Sequence, residues 1–165
     1  MQTAAMTIRV RLALPEDVHA VRFVGHATWP ATYGPEMGAE YVLAGLDNYW
    51  NSDAITDAIQ RGCIDVAESA DVIVGMTHVE ELGPDLVMWK LYVVPDQQHQ
   101  GTGHALVGSA KVRAVAHGSD LLTEYEPGNE RVRGFYEREG FDATPAPWPG
   151  TDAIWLRWRS GTVPH

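Results

Sequence analysis

Three stretches of the chain bring together residue types that can do chemistry. The first is Gln98-His-Gln-Gly101-Thr-Gly103, which follows the apolar run Leu91-Tyr-Val-Val-Pro95 and opens a helical stretch. Glycines at 101 and 103 let the backbone turn tightly and approach a ligand without a Cβ in the way. Free N–H groups at the start of the next helix then make an anion site suited to phosphate. Gly-x-Gly by itself also occurs in plain turns and caps. The second stretch, residues 26–50, crowds His26, Trp29, Tyr33, Tyr41, Tyr49 and Trp50 beside Glu36, Glu40 and Asp47. Aromatic rings beside carboxylates can hold an organic cation by charge and cation–π contact. The third is a set of strand carboxylates, Glu80, Glu81, Glu124 and Glu126, able to take a proton.

The elements that position these residues follow from periodicity and turn chemistry. Residues 8–12 alternate apolar and charged like a half-buried strand. Pro15-Glu16-Asp17 suits a helix start, and Trp29-Pro30 is expected to end that helix. Further helical pieces are expected at Pro35–Gly45 and at Ser52–Gln60, with Ser52 as N-cap. Strands are expected at Cys63–Glu68, Val72–Glu81 and Leu86–Val94. Helix Gly101–His117, strand Leu121–Tyr125, helix Asn129–Gly140 and a hairpin of Phe141–Ala146 with Ala153–Trp158 complete the chain. This order predicts an α/β fold with a mixed sheet.

The 165 residues suit one domain spanning 1–165, with 1–7 and 160–165 as flexible tails. Net charge is −10, and it is unevenly spread: residues 13–89 carry −11, whereas residues 90–118, which hold the glycine loop, carry +2. An acidic chain without a basic run is a poor match to nucleic acid. A single cysteine, Cys63, forms no intramolecular disulfide framework. There is no signal-peptide pattern, and no apolar run approaches the ~20 residues that span a membrane, so the expected location is cytoplasmic. His99, His104 and His117 lack a ligand-spaced carboxylate or thiolate set, and no metal is expected. A dinucleotide fingerprint would need Gly or Ala where Leu106 stands, although Asp120 lies near the ribose-binding offset.

The loop is more specific in its context. It follows Tyr92-Val93-Val94-Pro95, and a second block, Asn129-Glu-Arg-Val132-Arg-Gly-Phe135-Tyr136-Glu-Arg-Glu-Gly140-Phe141, comes after it. Together these resemble the two signature blocks of the GNAT superfamily of acetyl-CoA-dependent N-acetyltransferases, with Val132 where Ala is usual. The resemblance implies a mostly antiparallel sheet flanked by helices, with strands splayed at the acyl-CoA site. It implies that main-chain groups of Tyr92, Val93 and Val94 hold the pantetheine arm. N–H groups of His99, Gln100, Gly101, Thr102, Gly103 and His104 would grip the pyrophosphate, Gln98 opens the same cofactor-binding loop, and Asn129 would contact the pantetheine or the chain near it. Tyr136 would stand near the thioester sulfur and donate a proton to the leaving thiolate.

The strand entering the loop reads Leu-Val-Met-Trp-Lys at 86–90, without the Glu that many family members place there. The base therefore stays open, with Glu124 and Glu81 ranked first. His26, Trp29 and Tyr33 are expected on the acceptor side, where Trp29-Pro-Ala-Thr-Tyr33 resembles the loop of amine- and polyamine-acetylating members. Trp89 is expected to pack on the sheet. Lys90, Lys111 and Arg113 are expected to be solvated charges. The reading is acetyl transfer from acetyl-CoA to a small cationic amine in a ternary complex. The alternatives are a protein N-terminus, a lysine or an antibiotic as acceptor, or a catalytically silent acyl-CoA sensor. A homodimer is compatible with the family resemblance.

Overall fold

In the computed structural model, which describes residues 7–161, the chain runs β1 (Ile8–Leu12), α1 (Val18–Tyr49), α2 (Ser52–Gln60), β2 (Ile64–Ser69), β3 (Val72–Leu82), β4 (Asp85–Val93), α3 (Thr102–His117), β5 (Leu121–Tyr125), α4 (Arg131–Arg138), β6 (Asp142–Ala143) and β7 (Ile154–Trp158). The strands form one seven-stranded sheet, ordered β1-β2-β3-β4-β5-β7-β6. Every neighbouring pair is antiparallel except β4 with β5. A parallel pair needs a long crossover, and α3 supplies it.

Strand alternation sends successive side chains to opposite faces. Val66 and Met76 join Val21, Val24, Trp50 and Ile55 of the N-terminal helices in one core. Ala67 and Val93 turn the other way, onto Leu106 of α3. Val79, Leu86 and Met88 meet Val107, Ala110, Tyr136 and Phe141 on that second face. Among the described residues no helix is long and apolar enough to cross a membrane.

The first helix departs from expectation. It does not stop at Trp29-Pro30; it continues through Pro30 and Pro35 and bends at Gly38, whose φ is +84°. Packing overrides the proline signal. Trp50 lies flat against Gly25, and Trp29 lies against Gly45, so closely that a Cβ at either glycine would overlap the ring. The two arms of α1 thus fold back on each other: Gly45 of the second arm meets Trp29 of the first, and Gly25 of the first meets Trp50, the residue that follows the helix. Trp50 is fully buried and Trp29 is 7% exposed. Burial of two indoles outweighs the backbone hydrogen bonds the prolines forgo.

Other details also differ. The cap of α2 is Asn51, not Ser52, and its side chain accepts from the Ala54 N–H at 2.8 Å. The expected final hairpin is short: its first strand is only Asp142–Ala143. Arg113 is no solvated charge but clasps Asp65 with two bonds, at 2.9 and 2.7 Å. Lys111 donates to the Glu139 carbonyl at 2.5 Å and lies over the Trp158 ring. Of the expected tails, 1–6 and 162–165 lie outside the described residues. Ser160 is anchored, its N–H on Asp120 at 3.1 Å and its hydroxyl on the Ser119 carbonyl at 2.5 Å.

One irregularity shapes the site. His78 pairs with Lys90 but Val79 pairs with Met88, so Trp89 is an extra residue in β4. A bulge of this kind shifts the inside–outside alternation by one. Before it, Leu86 and Met88 face α3; after it, Leu91 and Val93 do. Lys90 and Tyr92 are thereby turned toward α1.

Candidate active site

The β4–β5 ladder has only three rungs, Leu86 with Leu121, Val87 with Leu122 and Met88 with Thr123. The Thr123 hydroxyl marks the last rung by donating to the Met88 carbonyl at 3.0 Å. Beyond the Trp89 bulge the strands part. The fork encloses a cavity of about 160 Å³ bordered by Leu91, Val93, Thr123, Glu124, Asn129 and Tyr136.

The main-chain groups along β4 divide by ladder alternation. The Val94 N–H donates to the Val74 carbonyl at 2.8 Å, and the Val94 carbonyl accepts from Gln97 at 2.9 Å. Val94 is thus committed within the fold. Tyr92, two residues before it, shares its orientation toward β3. Leu91 and Val93 are left facing the fork, where the Gln98 side-chain amide donates to the Val93 carbonyl at 3.0 Å. Of Tyr92, Val93 and Val94, expected together to present their backbone, Val93 does so and Leu91 joins it.

The glycine loop follows. Its backbone enters the left-handed region twice, at His99 (φ +64°) and Gly101 (φ +85°). No side chain caps α3, so the N–H groups of its first turn stay open to an anion. Gly103 lies against Phe135, holding α3 close to α4. A cavity of about 360 Å³ opens here, bordered by Gln98, His99, Gly103, Asn129, Phe135 and Tyr136. Arg131 and Arg138 also border it. Sequence reading missed both; their seven-residue spacing places them on one helix face, which was the available signal. Gln100 is exposed and Thr102 is 1% exposed, so Thr102 can offer only main chain. The His104 ring turns away to Glu139 at 2.7 Å. Open N–H groups, a twice-reversed backbone and two arginines fit the phosphates of an acyl-CoA.

Tyr136 borders both cavities and is 7% exposed, with its ring edge-on to Phe135 and Phe141. Burial pushes its phenol up to about 12, against a hydrogen bond with Thr123 that lowers it. The phenol is therefore protonated, and a donor, near neutral pH.

A third cavity, of about 480 Å³, lies between α1 and the sheet. Trp29, Tyr33, Tyr41 and Tyr49 line its helical wall, and Glu80, Lys90, Glu124 and Glu126 its sheet wall. Tyr33 and Glu124 border this cavity and the fork alike. Trp29 packs edge-on to Tyr33 at 4.6 Å and stacked on Tyr41 at 6.0 Å. Burial raises the Glu124 carboxyl, and the neighbouring Glu126 raises it further.

His26 and Glu81 fall elsewhere. His26 is exposed, its Nδ1 against the Arg22 carbonyl at 2.8 Å. Glu81 points opposite to Glu80 by alternation and pairs with His117 at 3.2 Å near the end of α3. Lys90 is no surface charge: the bulge brings it into this third cavity, where burial lowers its ammonium to about 8. Cys63, His78 and Glu80 bring potential ligand atoms within 4.8 Å of one another. Arg61 already supplies a cation there, paired with Glu80 and 3.6 Å from the Cys63 sulfur.

The family model of the acetyltransferase (GNAT) domain matches residues 60–143, just over half of the chain. No curated protein matches. Among solved structures, the fold is similar to the PaiA N-acetyltransferase of Thermoplasma acidophilum in complex with coenzyme A, at 17% identity and TM-score 0.85 over 93% of this chain and 99% of that one. It is also similar to a GCN5-related N-acetyltransferase from Rhodopseudomonas palustris, at 19% identity and TM-score 0.75 over 96% and 99% of the two chains. A third is the ribosomal-protein-S18-alanine N-acetyltransferase of Escherichia coli, at 16% identity and TM-score 0.70 over 95% and 96%. The matched segment contains the fork, the glycine loop, Tyr136 and the sheet wall of the third cavity, but leaves out α1 and with it that cavity's helical wall. With the family model and the forked sheet in agreement, the chain belongs to the GNAT family of acetyl-CoA-dependent N-acetyltransferases.

Proposed function

We propose that this acetyltransferase works as a single domain and transfers the acetyl group to the primary amine of a small acceptor, which attacks directly within a ternary complex. The observation that carries this reading is Glu124, which borders both the fork and the aromatic cavity. An amine seated among Trp29, Tyr33 and Tyr41 lies next to a carboxylate that opens onto the donor side.

An alkylammonium has a reference pKa of about 10.4, so at pH 7.4 about one molecule in a thousand is the free amine. Forming that nucleophile costs about 4 kcal/mol. Glu124 takes the proton, and its raised pKa makes it a better base than an exposed carboxylate. Acetyl-CoA supplies a thioester with an electrophilic carbonyl and a good leaving group. The Val93 N–H, facing the fork, is placed to polarise that carbonyl. Tyr136 remains protonated and gives its proton to the departing sulfur.

A thiol-release assay with acetyl-CoA and a panel of small primary amines tests the reading. Amine-dependent release of free thiol is expected. Binding of CoA without amine-dependent release would replace the enzyme with a sensor.

A further inference from the structure

The sheet wall of the acceptor-side cavity carries two opposite charges. Glu124 and Glu126 stand on β5 and just after it, and Lys90 stands on β4. Lys90 is partly buried, yet among the described residues no carboxylate lies within ion-pair distance of it. Its Nζ donates to the Tyr49 carbonyl at 2.6 Å and lies 4.7 Å from the centre of the Trp50 ring. An ammonium has three donors, and the Tyr49 carbonyl takes one of them. Glu80, on the neighbouring strand, borders the same cavity and favours the charged form of Lys90, but its ion pair is with Arg61.

The register partner of Lys90 is His78, which borders the same cavity. It is 8% exposed, and among the described residues neither ring nitrogen has a hydrogen-bond partner. Its Nε2 lies 3.5 Å from Glu80, too far for a good hydrogen bond. A buried polar group without a partner costs free energy, and so does a buried charge without a counter-ion. These two groups stand on paired strands and border one cavity.

Building on the acceptor reading above, we propose that the acceptor is an amine that also carries a carboxylate, of the amino-acid class. The carboxylate binds Lys90 and His78 while the amine faces Glu124. The burial that lowers the Lys90 ammonium to about 8 is relieved by such a counter-ion. A carboxylate accepts from Lys90 and from one N–H of His78, and the aromatic helical wall covers the carbon skeleton between the charged ends.

The test compares kcat/KM for α- and ω-amino acids with the matching amines that lack the carboxylate. The wild-type enzyme is expected to favour the carboxylated member at least tenfold. In Lys90→Met the ratio should fall to within threefold of one, and Lys90→Arg should restore part of it. A wild-type ratio of one or less, or a preference unchanged in Lys90→Met, overturns the subsite; the wild-type ratio decides alone if the variant does not fold. Calorimetric binding of 3-phenylpropionate, which has no amine, supplies a readout independent of turnover. Binding that weakens at least tenfold in Lys90→Met supports the subsite even where no amine is acetylated, an outcome that would overturn only the acetyl-transfer reading. Acetylation of amines without carboxylate preference or 3-phenylpropionate binding would overturn only the subsite.

Discussion

The phenol hydroxyls of Tyr33 and Tyr92 lie 2.8 Å apart, joining α1 to β4 where the fork meets the acceptor-side cavity. The pair fixes the helical wall against the strand that must hold the donor. Tyr33→Phe removes one partner and leaves the Tyr92 hydroxyl buried without its bond, at a cost of about 1–3 kcal/mol. For a protein of this size that is a drop in Tm of roughly 2–4 °C per kcal/mol, measurable by calorimetry. The acceptor KM is expected to rise while affinity for acetyl-CoA stays within threefold.

In the proposed mechanism Tyr136 acts at the leaving sulfur. Tyr136→Phe keeps the packing against Phe135 and Phe141 but removes the donor. A fall in kcat of about 100-fold is expected, at the lower end for general acid catalysis. Acetyl-CoA affinity, read by calorimetry, should change less than threefold. Unchanged turnover would remove Tyr136 from the chemistry.

As the proposed base, Glu124 governs the expected pH dependence. Its carboxyl is raised by burial and by Glu126, and only the ionised form accepts a proton. Activity should therefore fall as pH drops through this raised pKa, above the ordinary carboxylate range. Glu124→Gln is expected to lose that acidic limb and to lower kcat/KM at neutral pH by about 100-fold. The sign for stability is opposite. A carboxyl raised in the folded state binds its proton more tightly there than when unfolded, so its ionised form destabilises the fold above that pKa. Glu124→Gln should therefore raise Tm at neutral pH, with the gain shrinking in acid. A profile that keeps its acidic limb in the variant would move the base elsewhere.

The glycine–tryptophan contacts in α1 predict a packing effect. Gly25→Ala places a methyl group into the Trp50 ring and should destabilise the fold by about 1–3 kcal/mol. Trp50 also lies beneath Lys90, so the acceptor KM should rise with it. Gly34→Ala, where a Cβ meets nothing within 4 Å, is the control expected to leave Tm within a degree or two.

The glycine loop and the helices around it were legible in the sequence because their signals are local. A glycine loop opening a helix, and the block from Asn129 to Phe141, lie within short continuous segments whose backbone needs are met by neighbouring residues. The expected helices and strands from Ile64 to Arg138 accordingly stand within about two residues of the observed ones, the usual scatter at element ends. Arg113 was misread because its partner, Asp65, belongs to a strand far away in the chain. Pro30 misled for a related reason: a local breaker signal was outweighed by Trp29 meeting Gly45 across the bend.

By itself, then, the sequence determined the family fold and the glycine loop, since both depend on residue types at fixed short spacings. Only the tertiary structure decided what faces the acceptor. Strict alternation keeps Lys90 on the same face as Met88, but pairing with β3 makes Trp89 an extra residue, and every side chain beyond it changes face. A bulge is a property of two strands in register, and no pattern within one strand determines it.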